Sequence, residues 1–173
     1  MSVTELISIF PDYAKDIKLN YSKILNEEIF EKTLTYSIIY VSVLTTKSEK
    51  LLDAIKKDTS DVLSKDLLED IYGAYSVMSM NAIYYRFTHL ATEFDYFSLP
   101  ANLRMQYLAR VKMNKSDFEM LCLAVAVIIG CGKCINAHEQ VLRKENISNQ
   151  KIQTVARIAS VINAIANVIR VTK

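Results

Sequence analysis

Turn-forming residues are scarce in this chain: 173 residues include three glycines and two prolines. Tight β-turns lean on those residues, so the shortage weighs against a strand-rich fold and favours long helices. Charge of one sign is not in excess either. Lys and Arg number 21 and Asp and Glu 19, so the formal net charge is 21 − 19 = +2. The basic residues are spread along the chain, so nothing points to nucleic acid or to an anionic membrane as a partner. Long apolar runs are missing too. The longest uncharged stretches, 120–132 and 158–169, fall short of the ~18 residues a membrane span needs. The first twenty residues carry Glu5, Asp12, Lys15, Asp16 and Lys18, which is not the pattern of a secretory signal. Three cysteines are too few for a disulfide scaffold in a chain of this size. The expectation is a soluble cytoplasmic protein, in which a Cys-x-x-Cys is catalytic or metal-binding rather than a passive staple.

Half of the residues are apolar, and the length suits one domain with a sizeable core. Helical periodicity runs through almost every stretch. Ser2-x-x-Glu5 reads as a capping box ahead of Leu6, Ile9 and Phe10. After Pro11, the residues Tyr13, Ile17, Tyr21 and Ile24 continue at helical spacing. Further helices are predicted over about 27–45, 48–57, 65–91, 116–129, 132–145 and 148–171. The break at 97–100 is the clearest in the chain. On each side of it a long apolar helix leads to a shorter one and then a long one. This predicts an all-α single domain, residues 1–173, built from a duplicated helical unit. Its halves are about 1–97 and 98–173, with the active residues in the second.

The chemistry concentrates in Gly130-Cys131-Gly132-Lys133-Cys134-Ile135-Asn136-Ala137-His138. Gly130 suits the position just past a helix end, and the cysteines then open the next helix. Free backbone N–H groups and the macrodipole at a helix start favour a thiolate. Cysteines at i and i+3 share one face and can close a disulfide with little backbone movement. His138 lies on that face and can shuttle protons to and from a thiolate.

Glu119 has two readings. Ser116-Asp117-Phe118-Glu119 has the form of a capping box, which makes Glu119 a structural residue. Alternatively, antiparallel packing of the helices on either side of Gly130 brings Glu119 within reach of His138, directly or through water. Lys133 is either a solvated side chain or a charge that lowers thiol pKa values. Cys122 faces an apolar run and is assigned to the core, and His89, alone among aromatic residues, is assigned a structural role. Zinc on Cys131, Cys134, His138 and Glu119 is the rival chemistry. Structural zinc sites pair separated knuckles of ligands, and no second Cys/His pair exists, so no metal is expected.

The string Phe118-Glu119-x11-Cys131-x2-Cys134-x3-His138, followed by Leu142-Arg143, resembles the alkyl hydroperoxidase D (AhpD) family of the carboxymuconolactone-decarboxylase-like superfamily. Residues 11–20 and 80–86 resemble other signatures of full-length members. The resemblance implies an all-helical duplicated fold and a homo-oligomer, a trimer or a larger assembly of trimers. It implies reduction of organic hydroperoxides and of the disulfide of a partner peroxiredoxin, AhpC. The electrons come from dihydrolipoamide on a lipoylated dihydrolipoamide acyltransferase, with no cofactor held by the chain itself. By the same match Cys134 is the peroxidatic thiol that becomes a sulfenic acid. Cys131 is the proton donor and resolving thiol, the two form the redox disulfide, and Glu119 and His138 are the proton relay. Well-studied members carry a histidine where this chain has Lys133, which shortens the relay and leaves Lys133 to bias the thiolate. Two other classes compete: a decarboxylase-like lyase on the same fold, whose members generally lack the cysteine pair, and an oligomeric helical redox switch without turnover.

Overall fold

The computed structural model describes residues 1–172, and among these there is no strand. Eight α-helices follow in order: α1 (Val3–Ser8), α2 (Lys15–Asn26), α3 (Lys32–Thr46), α4 (Glu49–Thr59), α5 (Lys65–Leu90), α6 (Lys115–Ile129), α7 (Gly132–Lys144) and α8 (Asn149–Val171). The starts are chemically marked. Ser2 and Glu5 form the capping box expected of them. Ser48, Ser64 and Ser148 each accept a backbone N–H from the first turn of α4, α5 and α8.

Two helices form the centre. α3 packs on α4, α5, α6 and α8, and α6 packs on α3, α5, α7 and α8. Both are apolar on nearly every face, as a helix surrounded by others must be. The hydroxyls on α3 do not break this pattern. Ser42 and Thr45 donate to the carbonyls of Ile38 and Val41 in the preceding turn, so no buried polar group is left without a partner there. α8 is long and apolar enough to cross a membrane by length and composition alone. Here Val155, Ile158, Ala159, Ile162 and Ile165 are buried, and the helix packs on α2, α3 and α6.

One expected boundary is corrected. The helix predicted from residue 27 begins at Lys32. Glu27 turns extended at the end of α2, and its carboxylate accepts from the Arg157 guanidinium on α8, with Nη1 at 3.0 Å. A tertiary ion pair thus outweighs local helical propensity.

The segment between α5 and α6, residues 91–114, holds only two short 3-10 turns, Tyr96–Ser98 and Gln106–Ala109. Its end is anchored on α5 by Asp70, a fully buried carboxylate. Asp70 accepts from the Tyr107 hydroxyl at 2.8 Å, from the Lys112 N–H at 3.0 Å and from the Met113 N–H at 2.7 Å. Gly73, one turn along α5, makes room for this strap: a Cβ there would sit 1.9 Å from Cε1 of the Tyr107 ring. Lys112 also reaches Asp66 at 2.7 Å and Glu69 at 2.9 Å. These groups are exposed, so those pairs contribute little beside the buried one.

Asp70→Ala leaves a hydroxyl and two backbone N–H groups without their acceptor, and is expected to cost about 3 kcal/mol or more. Lys112→Ala, which loses only solvent-exposed pairs, is expected to stay within about 1 kcal/mol. Urea denaturation of the two variants measures both values, and limited proteolysis should show cleavage within 91–111 in the Asp70 variant first.

Candidate functional site

The turn between α6 and α7 sets the site. Gly130 adopts a left-handed conformation, φ 76° and ψ 37°. Its N–H donates to the Val127 carbonyl at 3.2 Å and that of Cys131 to the Ala126 carbonyl at 3.1 Å. This is the Schellman closure of a helix end, for which glycine is the favoured residue. Arg86 of α5 adds a donor to the same end, its Nη1 lying 2.8 Å from the Ile129 carbonyl. The chain then reverses, and α7 starts at once with Cys131 as its N-cap.

Cys131 does what a serine does at this position. Its Sγ accepts the Cys134 N–H at 3.2 Å. Cys131 is fully buried, while Cys134 keeps 5% of its surface exposed. The Cys134 Sγ lies 4.0 Å from the backbone carbonyl of Asn81 on α5. Burial pushes the Cys134 thiol up to about 12, and the neighbouring Cys131 adds to the shift. The helix start was expected to favour a thiolate, and at Cys134 burial outweighs it. The backbone N–H of Cys134, which also donates to the Cys131 sulfur, pulls the thiol down, but less than burial raises it.

Glu119 and His138 meet. Nδ1 of the histidine lies 2.7 Å from Oε2 of the glutamate, across the α6–α7 hairpin, and both side chains are about four-fifths buried. The capping-box reading of Glu119 is corrected. α6 begins at Lys115 with Asn114 as its N-cap, so Ser116 lies inside the first turn. An ion pair between Lys115 at the start of α6 and Glu145 past the end of α7, 2.8 Å, spans the open end of the hairpin.

Cys134, His138 and Lys133 line one side of a cleft of about 310 Å³. Met78, Asn81 and Tyr85 of α5 line another side, and Phe97 and Met105 of the strap close it. Neither Cys131 nor Glu119 lines this cleft, so each stands behind the partner that does. Glu119 opens instead on a separate hollow of about 360 Å³, beside Leu108, Val111 and Phe118. Lys133 is neither free in solvent nor paired with an acid: its Nζ sits 3.4 Å from the centroid of the Phe97 ring. Cys122 is buried in the core, with its thiol raised by burial and then by Glu119. His89 is exposed in the last turn of α5, outside the site. A larger hollow, about 830 Å³, adjoins the 27–36 turn and contains none of the cysteines. Among the described residues no three His, Cys, Asp or Glu side chains converge as a metal site would require.

The strap and α5 contributions escape a reading by motif. Met80–Arg86 is visible in sequence only as a signature. That Asn81 faces the thiol and Arg86 clasps the end of α6 follows from the packing of α5 across the hairpin.

Fold and site together define an all-α protein with a dithiol at a helix start, a carboxylate–histidine pair beside it and an apolar cleft in front. Comparison with known proteins agrees. The profile of the carboxymuconolactone decarboxylase family matches residues 95–173. A protein of Brucella anthropi named alkyl hydroperoxide reductase AhpD is 39% identical over 96% of this chain and 95% of its own length. Proteins of the same name from Maricaulis maris and Hyphomonas neptunium are 40% and 39% identical, each over 98% of this chain, covering 98% and 94% of their own lengths. The chain belongs to the AhpD family of the carboxymuconolactone-decarboxylase-like superfamily.

A thiol titrating near 12 gains thiolate about tenfold for each pH unit below that value, whereas an ordinary cysteine levels off above about 8.5. In the reduced protein, alkylation of Cys134 by iodoacetamide should therefore keep rising through about pH 10. Peptide mapping by mass spectrometry reads it site by site, and a plateau near the ordinary thiol range would contradict the burial argument.

Proposed function

We propose that this protein is a thiol peroxidase and disulfide reductase that reduces organic hydroperoxides. Relatives named alkyl hydroperoxide reductase AhpD, aligned over nearly the whole chain, support the reaction class. The observation that carries the residue assignment is the layering of the site. Cys134 faces the cleft, Cys131 lies one helical turn behind it, and the Glu119–His138 pair stands alongside.

The first step is attack by the Cys134 sulfur on the terminal peroxide oxygen. The S–O bond forms, the O–O bond breaks, and the alkoxide leaves with the electron pair. Sulfur is oxidised to a sulfenic acid and the peroxide is reduced to an alcohol once the alkoxide gains a proton. A buried thiol does not ionise by itself at neutral pH, so its proton must leave as attack proceeds. His138, on the same face of the cleft, takes it, and Glu119 holds the imidazole and steadies its positive form. The hollow on the far side of Glu119 gives this relay an outlet. Cys131 then attacks the sulfenic sulfur, releasing water and closing the disulfide. A dithiol, dihydrolipoamide on a lipoylated acyltransferase, restores the pair by two exchange steps. The reduced pair likewise serves to reduce the disulfide of a peroxiredoxin, AhpC. Lys133, held over Phe97, shapes the mouth of the cleft, and its charge biases the thiol it adjoins.

The chain works as one domain with duplicated halves: α3, α4, α5 and α6, α7, α8 repeat the order long, short, long. It acts as a homo-oligomer, a trimer, in the cytoplasm, where a reduced dithiol is maintained. Ile83, Phe87, Leu90, Phe94 and Leu99 are all about half exposed or more and offer an apolar face for such assembly.

Peroxide consumption with dihydrolipoamide, with and without a peroxiredoxin, tests the proposal. Cys134→Ser should abolish turnover, and Cys131→Ser should trap a sulfenic acid on Cys134 that mass spectrometry detects. Sulfenic acid on Cys131, with turnover retained in the Cys134 variant, would reverse the roles. Glu119→Gln keeps shape and hydrogen bonding but cannot hold an imidazolium by charge. It should fold normally and lose about 10²-fold in turnover; wild-type turnover would remove Glu119 from the mechanism.

A further inference from the structure

Asn81 is the polar residue of the cleft that the thiol chemistry leaves unexplained. It lies in the middle of α5, where the surrounding positions are Met78, Ala82 and Tyr85, and the residue keeps only 8% of its surface exposed. Its Oδ1 has no hydrogen-bond partner among the described residues. Its Nδ2 meets only the Sδ of Met105, at 2.9 Å, and a thioether is a weak acceptor. A carboxamide buried this far normally has strong partners on both ends, and leaving it without them costs about 1–3 kcal/mol. The same residue touches the reacting sulfur through its backbone, the Asn81 carbonyl lying 4.0 Å from Cys134 Sγ. An unsatisfied amide therefore belongs to a residue that lines the same cleft as the atom that attacks the peroxide.

Peroxide cleavage by a thiol creates a need that such an amide meets. As the O–O bond breaks, negative charge collects on the leaving oxygen. Met78, Phe97 and Met105 give the cleft largely apolar walls, which offer that charge no donor. A neutral N–H donor placed there acts like an oxyanion-hole donor: it binds the departing alkoxide better than the bound peroxide. We propose that the Asn81 carboxamide binds the peroxide group, with Nδ2 donating to the leaving oxygen and Oδ1 accepting from the terminal O–H. Met105, a weak acceptor on a flexible side chain, gives up the N–H when substrate arrives. The step balances as before: Cys134 sulfur gains oxygen, the O–O electron pair goes to the alkoxide, and the alkoxide is protonated from the imidazolium of His138. Asn81 exchanges no proton and only stabilises charge. This assignment rests on the peroxidase reading of the site and adds a substrate-binding residue to it.

The discriminating experiment varies the leaving group. The full chain is assayed with dihydrolipoamide against tert-butyl hydroperoxide, which expels a basic alkoxide, and against peroxybenzoic acid, which expels a carboxylate needing little help. Asn81→Leu keeps the branched shape of the side chain and removes the amide. It should lower kcat/KM about 10²-fold with tert-butyl hydroperoxide and far less with the peroxy acid. Iodoacetamide alkylation of Cys134, which has no alkoxide to expel, should stay within about twofold of wild type. Asn81→Ala carries the same comparison if the leucine variant does not fold by circular dichroism. Equal losses toward both peroxides, or alkylation falling in step with turnover, would mean that Asn81 only shapes the site and would overturn the assignment. So would unchanged turnover in a folded variant. A wild-type protein inert toward both peroxides would instead overturn the peroxidase reading itself.

Discussion

The left-handed turn at Gly130 is the constraint on which the site depends. One residue with φ near 76° ends α6, satisfies its last carbonyls and sends the chain back antiparallel. Three consequences follow from that reversal. Cys131 falls at the N-cap of α7 and Cys134 one turn later, so the sulfur atoms share a face. Glu119 and His138, 19 residues apart, arrive at the same height on facing helices and hydrogen-bond at 2.7 Å. The first turn of α7 is also driven against α5, where Asn81 and the strap complete the cleft. A side chain at position 130 would have to hold a conformation that costs roughly 1 kcal/mol or more, although nothing lies within 4 Å to obstruct it. The constraint is one of backbone, not of space.

The second support is less local. Asp70 is a buried carboxylate used for construction, not for chemistry, and its acceptors fasten the strap that carries Phe97 and Met105 over the thiol. Gly73 is small because Tyr107 crosses it. The cleft therefore takes its floor from one hairpin and its roof from a segment without regular structure. The floor is rigid because it is helix packed on helix. The roof is rigid where Asp70 holds it, and its outer rim is stabilised mainly by aromatic contacts such as Tyr85 with Phe97 and by the Lys133 ammonium over Phe97.

Reading the chain by periodicity located all the major helices, because a 3.6-residue apolar repeat and Ser caps are local signals. The start of α3 was misplaced because Glu27 answers to Arg157, 130 residues away. Glu119 shows the same limit in the opposite direction. Its capping-box pattern is a local signal that the structure does not use, because α6 starts one residue before Ser116 with Asn114 at the N-cap.

Local sequence accounts for the helical class, the turn at Gly130, and the one-turn spacing that sets Cys134 and His138 on one side of the cleft. Each of these depends on residues within a turn or two of one another, and short-range geometry is set by residue type and spacing. Packing is what brings Glu119 against His138, turns Cys134 to the cleft with Cys131 behind it, and pushes the Cys134 thiol up to about 12 through burial. It alone brought Asn81 and Phe97 to the sulfur and to Lys133. Burial and cross-helix contact depend on how α5, the strap and the α6–α7 hairpin pack together, and no local pattern in the chain encodes that packing.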